Sequence, residues 1–227
     1  LFAPMYLHMM CSAMTEMTFA LVLMGGVLLF SKKRFVLGAL LFSALPFCRT
    51  EGLPLLLLVG TYLIYHKRYL PIVLLSTCMV IYGLIGQFWY YHDILWFFGQ
   101  NPYSLFSAER YGSGSFLHYF VASPLIFGPI TIFCALIFLR FKGIALIRSK
   151  PNLEHLIVLL FLGYFGLHVI FWTFGMGASA GLIRLMAPIT PLLVLIAAKG
   201  FDILRMRSAL SMLSQRFLFA FIIIQPL

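Results

Sequence analysis

Long apolar runs, at residues 17–30, 35–47, 53–65, 70–89, 116–139, 155–174 and 182–198, follow one another along the chain, each closed by charged, aromatic or glycine-rich residues. Segments this apolar satisfy their backbone hydrogen bonds internally only as helices when they lie in hydrocarbon. The pattern therefore predicts an all-α fold, a polytopic transmembrane helix bundle. Residues 1–13, broken by Pro4, Tyr6 and His8, read as a tilted or interfacial helix, so about eight membrane helices are expected. A last run, 217–224, is too short to assign.

The breaks refine this layout. Thr15 can cap a helix whose first turn holds Glu16, where the positive end of the helix dipole suits an acid. Residues 35–47 are too few to cross about 30 Å of hydrocarbon, which takes about 20 residues. The turn that follows, Phe47-Cys48-Arg49-Thr50-Glu51-Gly52, is accordingly expected to be recessed below the outer surface. Pro54 suits the first turn of the next helix. Phe88-Trp89-Tyr90-Tyr91 has the make-up of an interfacial aromatic belt. Residues 92–115, the longest interruption of hydrophobicity, are rich in aromatic side chains and are expected to lie on the outer face as a loop with short interfacial helices. Pro124 and Pro129 predict kinks in the next run, which ends at an inner loop marked by Arg140, Lys142, Arg148 and Lys150.

Composition agrees with the pattern: 63% hydrophobic residues, 10% charged and a mean hydropathy of +1.03 exclude a soluble domain. A net charge of +10 would suggest nucleic acid in a soluble chain, but here its distribution gives a different reason. The basic residues fall in the loops on one side of the layout, and only Arg49, Arg110 and Arg184 fall on the other, as the positive-inside rule requires. Membrane lipids, and no nucleic acid, are the expected partners. Cys11, Cys48, Cys78 and Cys134 each lie in an apolar run without zinc-ligand spacing and read as buried thiols, with no metal site. No signal peptide is expected, and residues 1–227 read as one transmembrane domain of a longer protein, starting within or just after an earlier span.

The unusual chemistry lies on the outer side. Arg49 and Glu51 stand between apolar runs, and charges there must meet each other, water or a ligand. One reading is a helix-end ion pair that stitches two spans together; the other is a polar site on a water-filled cavity. Arg184 stands at the outer end of an apolar helix, where the positive-inside rule argues against it. It either snorkels to headgroups or holds a buried anion, and a guanidinium fork suits phosphate oxygens. Glu16 and Glu51 serve as helix-terminus acids pairing with Arg49 or orient a substrate hydroxyl, while His92 and Asp93 suit acid–base work or interface anchoring. His118 and His168 read as satisfied bundle histidines, and no Walker, GxGxxG or nucleophile-elbow motif is present.

Met14-Thr15-Glu16 opening a span, followed by a basic loop, a short span and Arg49-Thr50-Glu51-Gly52, resembles the middle of the GT-C superfamily of polytopic glycosyltransferases. Asn101-Pro102-Tyr103, Tyr111-Gly112-Ser113-Gly114 and Phe127-Gly128-Pro129 look like that family's large loop and following helix. Arg184-Leu185-Met186-Ala187-Pro188-Ile189-Thr190-Pro191 is similar to its Arg-aromatic-x-x-Pro-x-x-Pro segment, with Leu185 where an aromatic is usual. The resemblance implies a GT-C-like bundle and inverting transfer of a sugar, of mannose type, from a polyprenyl-phosphate carrier to a glycan, lipid or protein acceptor on the outer or lumenal face. It implies donor-phosphate binding by Arg49 and Arg184, with Glu16, Glu51, His92, Asp93, Glu109 and Tyr111 lining the site. The family's usual catalytic base, an acid in the first outer loop, is expected to precede residue 1, so the catalytic residue is unassigned. No cofactor beyond the lipid-linked sugar is implied, with a divalent metal left open, and a bacterial inner membrane is preferred to the endoplasmic reticulum. The alternative is a non-catalytic polytopic protein, such as a lipid or solute transporter, using the same charges as a pathway.

Overall fold

A computed structural model describes residues 5, 9, 14–90, 92–99, 111–177 and 180–207. Among these residues the regular elements are helical. In order they are α1 (Thr15–Ser31), α2 (Phe35–Phe42), α3 (Leu45–Cys48), α4 (Gly52–Tyr65), α5 (Tyr69–Leu74) and α6 (Thr77–Ile85), which runs into a π-helical turn (Gly86–Tyr90). There follow α7 (Trp96–Gly99), α8 (His118–Phe127), α9 (Pro129–Arg148), α10 (Leu153–Phe174), a 3-10 segment (Ile183–Ile189) and α11 (Thr190–Arg207). Four stretches, Tyr69–Trp89, α9, α10 and Ile183–Met206, are long and apolar enough to cross a membrane, and α1, Phe35–Cys48, α4 and α8 are shorter apolar helices. The chain is a multi-pass helical membrane protein.

Its outside is as greasy as its inside. Leu21, Leu57, Val73, Val121 and Ile147 are each at least 68% exposed. Such a surface is stable only against lipid tails, because each exposed apolar Å² would cost about 25 cal/mol in water. Phe19, Leu23, Leu55, Val59, Tyr164 and Met186 fill the centre, where α1, α4, α10 and the 3-10 segment meet. The most extensive helix pair is α9 with α11. There Gly200 lies flat on the α9 backbone, and a Cβ at that position would overlap the carbonyl oxygen of Cys134.

Helix ends follow local chemistry, with some departures from the sequence-based layout. Asn152 opens α10 with a capping box: its Oδ1 accepts from the amides of Glu154 (2.9 Å) and His155 (3.2 Å), and the imidazole of His155 takes the amide of Asn152 (3.0 Å). Gly175, in the left-handed region, closes the same helix. Thr15 is not a cap; Met14 holds that position without a side-chain hydrogen bond. Pro124 stays inside α8, and the break falls at Gly128-Pro129, where Gly128 has φ +83°. Arg140 and Lys142 lie within α9, not in a loop, because that helix continues to Arg148; α11 likewise carries Lys199 and Arg205 as helical residues. Cys134 is buried, whereas Cys48 and Cys78 are half-buried. Of the outer loop, Trp96–Gly99 forms a short helix. The 217–224 run, residues 100–110 and, apart from Met5 and Met9, residues 1–13 with Cys11 lie outside the described residues.

Candidate functional site

The α3–α4 turn sets the site. The amide of Gly52 donates to the Arg49 carbonyl at 2.9 Å, and α4 starts so close to α3 that a Cβ on Gly52 would come within 2.5–2.7 Å of the Leu45 carbonyl and the Pro46 nitrogen. This tight closure turns Arg49 and Glu51 to the same side. The Nη2 of Arg49 meets Glu51 Oε1 at 3.0 Å, and its Nη1 meets Glu16 Oε1, on the first turn of α1, at 3.2 Å. One guanidinium fork thus grips two carboxylates from different helices. Thr15, displaced from capping, accepts from Arg49 Nη1 at 3.4 Å.

Arg184, at the start of the 3-10 segment, approaches the same Glu16 oxygen at 3.8 Å through Nε. Its Nη1 has the thioether of Met14 at 3.3 Å as acceptor, and its side chain is 41% exposed. On α10, the Nε2 of His168 lies 3.7 Å from Glu51 Oε1. Tyr164, one turn earlier on the same face, packs its ring tilted against His168 with ring centroids 4.6 Å apart.

Two guanidinium and two carboxylate groups make this cluster formally neutral, yet the two arginines are not equivalent. Arg49 is nearly buried and its fork is filled by protein carboxylates. Burial opposes its charge, and Glu51 restores it, so that Arg49 stays protonated. Burial also works against ionisation of Glu51, and the charge and hydrogen bond of Arg49 more than offset this, holding the carboxyl below its usual range. Arg184 has only its single, longer contact with a carboxylate that Arg49 already holds. It therefore retains donor capacity toward an anion arriving at the surface. Around the cluster, the Tyr164 hydroxyl and both ring nitrogens of His168 are buried without a hydrogen-bond partner among the described residues. Each such group costs about 1–3 kcal/mol unless water or a ligand meets it.

The structure thus brings Glu16, Arg49, Glu51 and Arg184 together from three separate stretches of chain. Glu16 is not a solvated first-turn acid: it is 3% exposed and shared by both arginines. His92 and Asp93 do other work. Both are exposed; Asp93 Oδ1 accepts from the Leu95 amide at 2.8 Å, the His92 amide bonds the Gly86 carbonyl, and no ion pair joins them to the cluster among the described residues. Tyr111 is half-buried at the head of a segment whose Gly114 amide donates to the Trp172 carbonyl at 3.1 Å, one turn beyond His168. Glu109 lies outside the described residues. His118 is satisfied, its Nε2 lying 2.8 Å from the Gly181 carbonyl oxygen, but His168 is not, which corrects its reading as an ordinary bundle histidine. The i, i+4 spacing of Tyr164 and His168 within an otherwise apolar run was the signal that placed both on one stripe.

Comparison with family models, curated proteins and solved structures gives no match for this chain. The geometry of the cluster is therefore the basis for a functional reading.

Proposed function

We propose that the chain is the donor-binding part of a GT-C-like membrane glycosyltransferase, moving a sugar from a polyprenyl-phosphate carrier to an acceptor at the face where the cluster lies. The observation that carries this reading is the pair of arginines converging on Glu16, of which one, Arg184, keeps a half-exposed guanidinium with unfilled donors. In this role Arg49 and Glu16 hold the α1, α3–α4 and 3-10 segments in register, and Arg184 takes the phosphate. As the sugar–phosphate bond breaks, negative charge grows on the departing phosphate, so a fixed guanidinium favours the transition state over the ground state.

Arg184→Ala in the full-length protein is expected to slow transfer from a polyprenyl-phosphate sugar by tenfold or more, because a charge-assisted hydrogen bond is worth about 1.5–3 kcal/mol. Arg184→Lys restores only part, keeping the charge and losing the fork. Turnover of lipid-linked sugar in membranes is the measurement. A wild-type rate in Arg184→Ala removes the donor-phosphate role.

The same reading places about eight membrane helices with the basic turns inside and the cluster outside, in a bacterial inner membrane. Thiols introduced at Ser149 and Ser113 are then expected to react with impermeant reagents from opposite sides. Labelling of both from one side overturns the topology.

A further inference from the structure

Two turns at the basic end of the bundle share one geometry. After α1, the amides of Lys32, Lys33 and Arg34 donate to the carbonyls of Leu28, Phe30 and Leu29 at 3.1, 2.9 and 2.9 Å. After α4, the amides of His66, Lys67 and Arg68 donate to those of Tyr62, Ile64 and Leu63 at 3.2, 2.9 and 2.9 Å. In each turn the middle residue is left-handed: Lys33 has φ 58° and Lys67 has φ 54°. This is the position where helices ordinarily place glycine, because a Cβ there crowds the following carbonyl. Both turns instead carry a strained lysine, and strain kept at a special position points to a use for the side chain.

The two lysines, from turns well apart in sequence, line one cleft of about 370 Å³. Arg68 shares it, with its guanidinium carbon 5.2 Å from the centre of the Phe35 ring. Phe35, Tyr69 and Leu70 supply an apolar wall. No ion pair reaches Lys33, Lys67 or Arg68 among the described residues; Glu154, at the same end of the bundle, pairs instead with Lys199 at 2.9 Å. Three cations without a protein counter-charge, beside an apolar wall at a membrane surface, match an amphiphile that carries a phosphate.

We propose that this cleft binds the headgroup of an anionic phospholipid, the cations taking the phosphate and the aromatic and aliphatic wall taking the glycerol and the first acyl carbons. The apolar half favours a lipid over free phosphate, which would leave that wall uncovered. This site is separate from the Arg49–Arg184 cluster and does not depend on the enzymatic reading.

The left-handed lysines supply a clean test, since glycine fits φ near +55° better than any other residue. Lys33→Gly/Lys67→Gly therefore removes two charges without a new backbone conflict. With the full-length protein in mild detergent, native mass spectrometry is expected to show phosphatidylglycerol retained in preference to phosphatidylcholine. The double-glycine variant should bind phosphatidylglycerol about thirtyfold more weakly, given about a fivefold contribution per surface cation, while its thermal stability without lipid stays equal or rises. Excess inorganic phosphate should not displace the lipid. Unchanged phosphatidylglycerol retention in the double-glycine variant overturns the proposal, as does displacement by inorganic phosphate. So does an equal loss in Arg140→Ala/Lys142→Ala, which would reduce the effect to general surface charge.

Discussion

Arg49→Gln is expected to cost about 3–5 kcal/mol of stability, the usual penalty for removing one partner of a buried ion pair. Glu16 and Glu51, at 3% and 13% side-chain exposure, would lose the guanidinium that holds both of them. Arg184 covers only Glu16, at 3.8 Å, and His168 stands 3.7 Å from Glu51, beyond hydrogen-bond distance. The remaining escape is protonation of the carboxylates. A folded state that binds more protons than the unfolded one gains stability as pH falls. The penalty should therefore shrink toward pH 5 and be largest at pH 8, whereas in the wild type Arg49 keeps Glu51 ionised and no such recovery on acidification is expected. Combining Arg49→Gln with Glu16→Gln should cost less than the sum of the single changes by about 0.5–3 kcal/mol, the range measured for groups in direct contact. Reversible unfolding in detergent at the two pH values measures all of this. Strict additivity would show that the 3.2 Å contact carries no energy.

That network explains how far sequence reasoning reaches in such a chain. The helical bundle was legible because hydrocarbon leaves the backbone no alternative, and charges inside apolar runs mark themselves. Arg49, Glu51 and Arg184 stood out for this reason. Glu16 was harder: an acid in a first helical turn already has a sufficient local explanation, and only the fold shows that the turn is buried beneath Arg49. His168 was missed because a histidine in an apolar run is ordinarily satisfied by its own bundle, and its distance to Glu51 depends on where α4 meets α10. His92 and Asp93 present the opposite difficulty. A polar pair at a loop start looks like chemistry, but Asp93 is needed to turn the backbone into α7. The ends of α9 and α11 are hidden in the sequence because basic residues look like loop markers, although Lys and Arg at the lipid boundary continue a helix readily by extending their heads into water.

Gly200→Ala is expected to be among the most damaging single-methyl additions in this protein, at the upper end of the roughly 1–3 kcal/mol usual for overpacking or beyond it. The added Cβ meets backbone: it overlaps the Cys134 carbonyl oxygen, lies 2.7 Å from that carbonyl carbon and 3.1 Å from the Phe138 amide nitrogen. Neither Cys134 nor Phe138 can relieve this by changing rotamer, and truncating them would not help. The two helices must separate instead, and in a membrane close backbone approach through small residues is a main source of helix association. Gly163→Ala provides the contrast. Its new methyl meets only the Leu58 side chain, with Cδ1 at 2.5 Å, the end of a flexible side chain that can swing aside. The cost at Gly163 should fall below about 1.5 kcal/mol, as for other tolerated core changes. Because α11 is continuous with the 3-10 segment that carries Arg184, displacing it from α9 should also shift Arg184 relative to Glu16. If the chain acts as the proposed sugar-transfer enzyme, Gly200→Ala is therefore expected to lose that activity along with stability, while Gly163→Ala keeps activity. Equal unfolding midpoints for the two variants would show that α9 and α11 do not meet backbone to backbone at Gly200.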